Sequence, residues 1–400
     1  MTIVRTDFIQ TKESFIEDKC VAFDELIKEI DDFETLTQKY PHAEIIDGGK
    51  NSVLYAGFIN THVHLEFSAN KTTLEYGDFM IWLYSVIESR EELKERCDTN
   101  MMINATKEMM ESGITTFGAI SSFGMELEAC SKTPQKVIFF NELIGSIPSS
   151  VDFLYQDFLA RLEESSHYDN ITPAIAIHSP YSVHPIVIKK ALSLAKEQNY
   201  PVSAHFLESS IEREWLENGE GEFKTFFKEF FNTSSPVNSI DGFLSLFDET
   251  PTHFTHAVKA NKKELEHLSQ KNHSIAHCPR SNRLLGSGKL DIQDLKVPFS
   301  VATDGLSSNY SLNIFDELRS ALMLHSDIEL KRLANDLIKS VTSIPAKIFN
   351  LNCGAIECGF SSDLAIITLP DKPKIDTIAL NTILHTSKVD MLFIDGKQII

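Results

Sequence analysis

The sequence predicts an α/β protein built on a (β/α)8 TIM-like barrel, with a small β-sandwich domain assembled from both termini. Three observations predict it. Eight short β-type runs alternate with amphipathic helical stretches along the middle of the chain. Several of these runs are near-continuously apolar, as strands covered on both faces must be. Histidines and acids recur at the C-terminal ends of the runs, the end where barrel enzymes carry their chemistry. A doubly wound open sheet is the structural competitor.

Residues 1 to about 55 and about 352 to 400 hold short β-type pieces bounded by Gly, Asp and Asn. They read as one discontinuous β domain, which leaves 56–351 for the barrel. The first barrel run, Val53–Ile59, leads toward the histidine pair His62 and His64. The other seven are Gly113–Ala119, Lys136–Asn141, Thr172–His178, Pro201–His205, Thr252–His256, Ser274–Cys278 and Phe299–Asp304. Between them, Pro185–Gln198 places Val187, Ala191, Leu194 and Ala195 on one helical face, and Asn261–Gln270 is similar. Gly219–Pro251 reads as an insertion with a helix, over one barrel mouth or at a subunit contact. Its Phe223, Phe226, Phe227, Phe230 and Phe231 suit either a homodimer face or an internal core helix.

A formal charge of −20 argues against nucleic acid as a partner, because a phosphate backbone needs a basic face. With only nine arginines in the chain, one near a site gains interest. No apolar stretch reaches membrane-span length, and no basic-then-apolar leader opens the chain, so a cytoplasmic protein is expected. Six cysteines without C-x-x-C spacing read as reduced thiols.

The chemistry starts at His62-Val63-His64. Side chains at i and i+2 of a strand share a face, so both imidazoles point one way and can begin a Zn²⁺ or Fe²⁺ site. A lone His-x-His is more often two core or solvated histidines. Here it is joined by His178, His205 with Glu208 one turn on, His256, and Asp304 before Gly305, all at strand ends. Five strands placing such groups in one buried layer by accident would be costly, so a shared site is expected.

This ordered set, His-x-His, His, His-x-x-Glu, His, Asp-Gly, resembles the amidohydrolase superfamily in its mononuclear nucleobase-deaminase branch. The resemblance spans essentially the whole chain. It implies that His62, His64, His205 and Asp304 hold one divalent metal, Zn²⁺ or in some members Fe²⁺. It also implies that Glu208 shuttles protons, His256 polarises the attacking water and His178 touches substrate. The fourth strand ends without a lysine that could be carbamylated, which disfavours the binuclear branches.

Within the branch, Tyr76–Leu83, His205–Ser209, Cys278–Leu285 and Ala302–Asn309 are similar to aminodeoxyfutalosine deaminases. Those enzymes deaminate an adenine nucleoside with a benzoate-bearing side chain, giving futalosine and ammonia on a route to menaquinone. Trp82 and Ser307, inside these segments, join His178 and Arg283 as expected substrate contacts. S-adenosylhomocysteine and methylthioadenosine deaminases share the frame and often carry a ribose-binding Glu where Met80 stands here. Asp78 or Glu66 could substitute for it.

The expected chemistry is general. A metal with three imidazoles and one carboxylate activates water near neutral pH. Asp304 ligates and accepts a hydrogen bond, Glu208 relays the proton to a ring nitrogen and then to the departing amine, and His256 orients the nucleophile and offsets charge. Arg280 and Arg283 follow the seventh strand, and Arg283 is expected to pair with a substrate carboxylate. An S-adenosylhomocysteine, methylthioadenosine or adenosine deaminase, a guanine or chlorotriazine-type hydrolase on the same site, or a non-catalytic scaffold, are the alternatives. The intact acid and ligand set speaks against a scaffold.

Overall fold

The computed structural model describes residues 1–146 and 151–400. Eight parallel strands form the barrel in sequence order: strand 1 (Phe58–Val63), strand 2 (Ile114–Ser121), strand 3 (Lys136–Leu143) and strand 4 (Ile171–Ile177), then strand 5 (Val202–Phe206), strand 6 (His253–His256), strand 7 (Ser274–His277) and strand 8 (Phe299–Val301). Each pairs in parallel with the next. Strand 2 is buried along all eight residues, as a barrel strand between a packed interior and a helical jacket must be.

The seam between strands 8 and 1 closes through a few polar contacts. The Asp304 amide donates to the His62 carbonyl at 3.0 Å. The Thr303 amide donates to Asn60 Oδ1 at 3.1 Å, and Asn60 Nδ2 donates to Thr303 Oγ1 at 2.8 Å. Two of the expected site residues thus sit on the closing seam itself.

The jacket helices follow the sequence period. Thr99–Glu111 buries Met102, Ala105, Thr106, Met109 and Met110, an i, i+3, i+4 stripe, and Asp98 caps it by accepting from the Met101 amide. Pro185–Gln198 begins with Pro at its first turn and ends at Asn199 with φ +56°. Asn261 caps Lys262–Gln270 in a reciprocal pair with Glu264.

The run Val53–Ile59 is not one strand. It divides at Gly57 into Ser52–Ala56, which belongs to a terminal sheet, and strand 1, which belongs to the barrel. The apolar pattern passes through the break because both halves are buried. Glycine is required there: any Cβ would run into the Thr115 side chain.

The terminal residues form a four-stranded sheet from Thr2–Arg5, Cys20–Phe23, Ile27–Asp31 and Glu44–Asp47. A six-stranded sheet takes Phe8–Gln10, Phe15–Glu17 and Ser52–Ala56 from the N-terminal side, and Leu364–Thr368, Met391–Ile394 and Lys397–Gln398 from the C-terminal side. Val4, Val21 and Phe23 of one sheet meet Leu54, Leu364, Ile366 and Phe393 of the other in a separate apolar core. In the insertion, Glu222–Phe231 is a helix that buries Phe223, Phe226 and Phe227. Phe223 packs on Tyr181 at 4.9 Å and on Phe79 at 6.1 Å, whereas Phe230 and Phe231 stay partly exposed.

The barrel interior below the site contains His253, whose Nδ1 meets Ser274 Oγ at 2.8 Å and whose Nε2 meets Thr61 and Ser300 hydroxyls, each at 3.1 Å. Burial pushes its pKa down to about 3. The unfolded imidazole takes a proton near 6.5, so the unfolded chain binds more protons between these values. The stability this residue gives is whole above pH 6.5 and drains away as pH falls toward 3. Between pH 6.5 and 5 the loss is about 2 kcal/mol. Urea unfolding across that range should show His253→Gln with a shallower acid limb than the wild type. Equal slopes would remove His253 from the acid response.

Candidate active site

The strand ends bring His62, His64 and His205 together, with one ligand atom from each lying within 4.8 Å of the others. His62 and His64 ring centroids are 5.0 Å apart, and His62 and His205 centroids 4.9 Å. Asp304 Oδ1 stands 3.8 Å from both His62 Nε2 and His64 Nε2. Three side chains hold this geometry from behind. His62 Nδ1 meets Thr255 Oγ1 of strand 6 at 3.1 Å. His205 Nδ1 donates to the His178 carbonyl at 2.7 Å, which leaves its Nε2 lone pair free. Asp304 Oδ2 accepts from Ser281 Oγ at 2.7 Å and Ser308 Oγ at 3.0 Å.

The set fits a divalent cation. His62 Nε2 is buried yet has no hydrogen-bond partner among the described residues, an orphan that a metal would satisfy. Burial holds His62 well below the ordinary imidazole range and lowers His64 and His205 too, so all three favour the neutral form a ligand needs. Burial alone would raise Asp304, but His64, His256 and the Ser281 bond outweigh it and keep the carboxylate ionised.

Glu208 and His256 stand beside this cluster. His256 Nε2 lies 3.5 Å from Glu208 Oε1 and 3.9 Å from Asp304 Oδ2. His256 Nδ1 donates to Asn282 Oδ1 at 2.9 Å, so the Nε2 lone pair faces the acids. The turn holding Glu208 is clamped by Glu212, whose carboxylate accepts from the Leu207 amide at 3.0 Å and the Glu208 amide at 2.7 Å. Burial, then the charges of Asp304 and Glu212, lift the Glu208 pKa well above the usual carboxylate range. A carboxyl so placed holds a proton more readily than an exposed one and can pass it on to a bound group.

The backbone is forced at these points. Leu207, His256 and Asp304 adopt φ of +45°, +73° and +58°, a region costly for residues other than glycine and recurrent at functional sites. Gly305 lets strand 8 approach strand 1, since a Cβ there would lie 2.7 Å from the His64 Cβ and carbonyl.

The remaining expected residues divide. His178 is half-buried beside His205, its Nδ1 bound to Ser182 Oγ at 2.6 Å. Trp82 Nε1 donates to the Ser307 carbonyl at 2.9 Å, so these two residues touch each other and tie helix Phe79–Arg96 to the loop after strand 8. Arg283 is exposed on the short helix Pro279–Leu284. Arg280 is not a free rim residue. It is buried, bonded to Glu317 and the Ser311 carbonyl, because the sequence hides its acidic partner 37 positions away. Asp78 is not free either, since it caps a helix by accepting from the Met80 and Ile81 amides. Glu66 is buried and, among the described residues, keeps one carboxylate oxygen without a partner.

Sequence reading missed Thr255, Ser281, Asn282, Ser308 and Glu212. Only Glu212 carried a readable signal, as the fourth residue of Ser209-Ser210-Ile211-Glu212, an N-terminal helix signature.

The chain is similar over its whole length to known proteins. An aminodeoxyfutalosine deaminase of Nitratiruptor sp. is 46% identical over 402 residues, covering 100% of this chain and 99% of that protein. A Helicobacter pylori adenosine deaminase is 37% identical over 96% of this chain and 95% of its own length. The crystal structure of Helicobacter pylori aminofutalosine deaminase in complex with methylthio-coformycin superimposes with a TM-score of 0.95, at 35% identity and full coverage of both chains. The profile of the Amidohydrolase family matches residues 53–399, and the chain belongs to that family.

Proposed function

We propose that the protein is a zinc-dependent hydrolytic deaminase that converts 6-amino-6-deoxyfutalosine and water to futalosine and ammonia. The observation that carries the reading is the meeting of Glu208, His256 and Asp304 around the point on which His62, His64 and His205 converge. The full-length likeness to a named aminodeoxyfutalosine deaminase supports the choice of substrate.

His62, His64, His205 and Asp304 would hold the cation, which supplies Lewis acidity that makes water nucleophilic near neutral pH. The chain's own groups do the rest. The His256 Nε2 lone pair accepts a hydrogen bond from the attacking water and orients it toward the amino-bearing ring carbon. Glu208 takes the water proton and hands it to the adjacent ring nitrogen. It then carries the second proton to the departing amine, so the carbon–nitrogen bond breaks as ammonia forms and a ring carbonyl remains. His178 borders the substrate space through its Nε2 edge, and Trp82 and Ser307 bound it from the opposite loop. Glu66, with its spare oxygen, is the hydroxyl acceptor for ribose in place of a carboxylate at position 80.

A second reading, a general adenosine deaminase, is favoured by one observation, the likeness to a named adenosine deaminase. Ammonia release from aminodeoxyfutalosine, adenosine and S-adenosylhomocysteine, on protein of measured metal content, separates the two. The tailed nucleoside should give the highest kcat/KM, by about tenfold or more. Equal turnover of all three would leave a general adenosine deaminase.

A further inference from the structure

Arg90 is an arginine whose donors are unused among the described residues. It lies half-buried on helix Phe79–Arg96, and among the described residues it makes no hydrogen bond or ion pair. Its Nε is buried without a partner. The other buried or half-buried arginines are spoken for: Arg280 by Glu317, Arg213 by Glu264, Arg161 by Asp157 and two carbonyls, Arg319 by Asp316. Its guanidinium lies 4.5 Å over the ring of Phe123, and Lys94 Nζ sits 5.4 Å from the same ring. Phe123 is 47% exposed, a poor position for an aromatic ring with no role. In a chain of net charge −20, two cations share this exposed ring, Lys94 offset by Glu91 at 3.7 Å and Arg90 not paired among the described residues, and together they form a cationic, aromatic patch.

The patch borders the site. Phe123 follows the C-terminal end of strand 2, and its neighbour Ser122 donates to Glu142 Oε2 at 2.6 Å and to Glu66 Oε1 at 3.3 Å. Glu142 Oε1 in turn lies 3.8 Å from His205 Nδ1. Two side chains therefore connect the patch to a metal-donor imidazole.

We infer that Arg90 and Phe123, with Lys94 behind them, form the subsite for the aromatic carboxylate at the far end of the substrate. This rests on the deaminase reading above. A guanidinium with free N–H groups pairs a carboxylate in a planar fork, and the uncovered part of Phe123 offers an edge or face to the attached aryl ring. The adenine end would meet Glu208 while the tail meets Arg90, so the two ends are recognised by separate groups.

The test measures kcat and KM for aminodeoxyfutalosine and for adenosine in wild type, Arg90→Met, Arg90→Lys and Arg283→Ala, with calorimetric titration of futalosine as a readout free of turnover. In Arg90→Met the ratio of kcat/KM, tailed over tailless nucleoside, should fall about 30-fold. The fall should come through KM and be matched by weaker futalosine binding. Arg90→Lys should recover part of it. An unchanged ratio in Arg90→Met, an equal loss on both nucleosides, or the whole effect appearing in Arg283→Ala instead would overturn the subsite. A wild type that deaminates adenosine and the tailed nucleoside equally well would also overturn it. A wild type inert toward every nucleoside would end the deaminase reading and the subsite with it.

Discussion

Glu208→Gln should lower kcat for deamination by about three to four orders of magnitude while the protein keeps its metal. The amide is nearly the same shape, and the carboxylate it replaces makes no hydrogen bond through its side chain among the described residues, so the fold has little to lose. The turn itself is held by Glu212 gripping the Leu207 and Glu208 amides, and that clamp is untouched. Only the ability to accept and return a proton is removed. Stability should not fall. A buried acid whose pKa is raised is penalised in its charged form at neutral pH, and glutamine escapes that penalty. Steady-state kinetics, metal analysis and thermal unfolding on one preparation check all three parts. Turnover within tenfold of wild type would show that the proton travels by another group.

The second large effect is at Asp304. Asp304→Asn keeps the volume and, because asparagine tolerates φ near +60° as well as aspartate does, keeps the backbone. It replaces an anion 3.8 Å from two donor imidazoles by a neutral amide. Metal affinity is expected to drop by about 100-fold or more, and activity at limiting metal to vanish with it. Competition with a chelator of known affinity measures the first, and titrating metal back into the assay the second. The metal-free variant should unfold at the same temperature as the metal-free wild type. Unaltered affinity would mean that Asp304 serves only Ser281, Ser308 and the seam.

The barrel and the cluster of His62, His64, His205 and Asp304 were legible because both follow local rules. Strands 2 to 7 announced themselves as apolar runs between helical periods, and strands 4, 5 and 6 placed His178, His205 and His256 where the runs stopped. What lay out of reach was whatever depends on a neighbour strand. Thr255 is an ordinary strand threonine until strand 6 lies near His62, and Asn282 is an ordinary amide on a short helix until it meets His256. Arg280 looked like a rim cation because nothing in its own segment reveals Glu317. The division at Gly57 was hidden for another reason. Hydropathy records burial, and burial does not change where the chain passes from one sheet into another.

That passage also decides when the centre can exist. Ser52–Ala56 is locked in register by Leu364–Thr368, and the Gly57 amide is held by the Asp363 carbonyl, one residue before the strand that bears His62. The earliest donors are thus anchored by a segment that lies beyond all eight barrel strands in the chain. Assembly of the centre waits for that later segment, whatever portion of the cylinder has already formed.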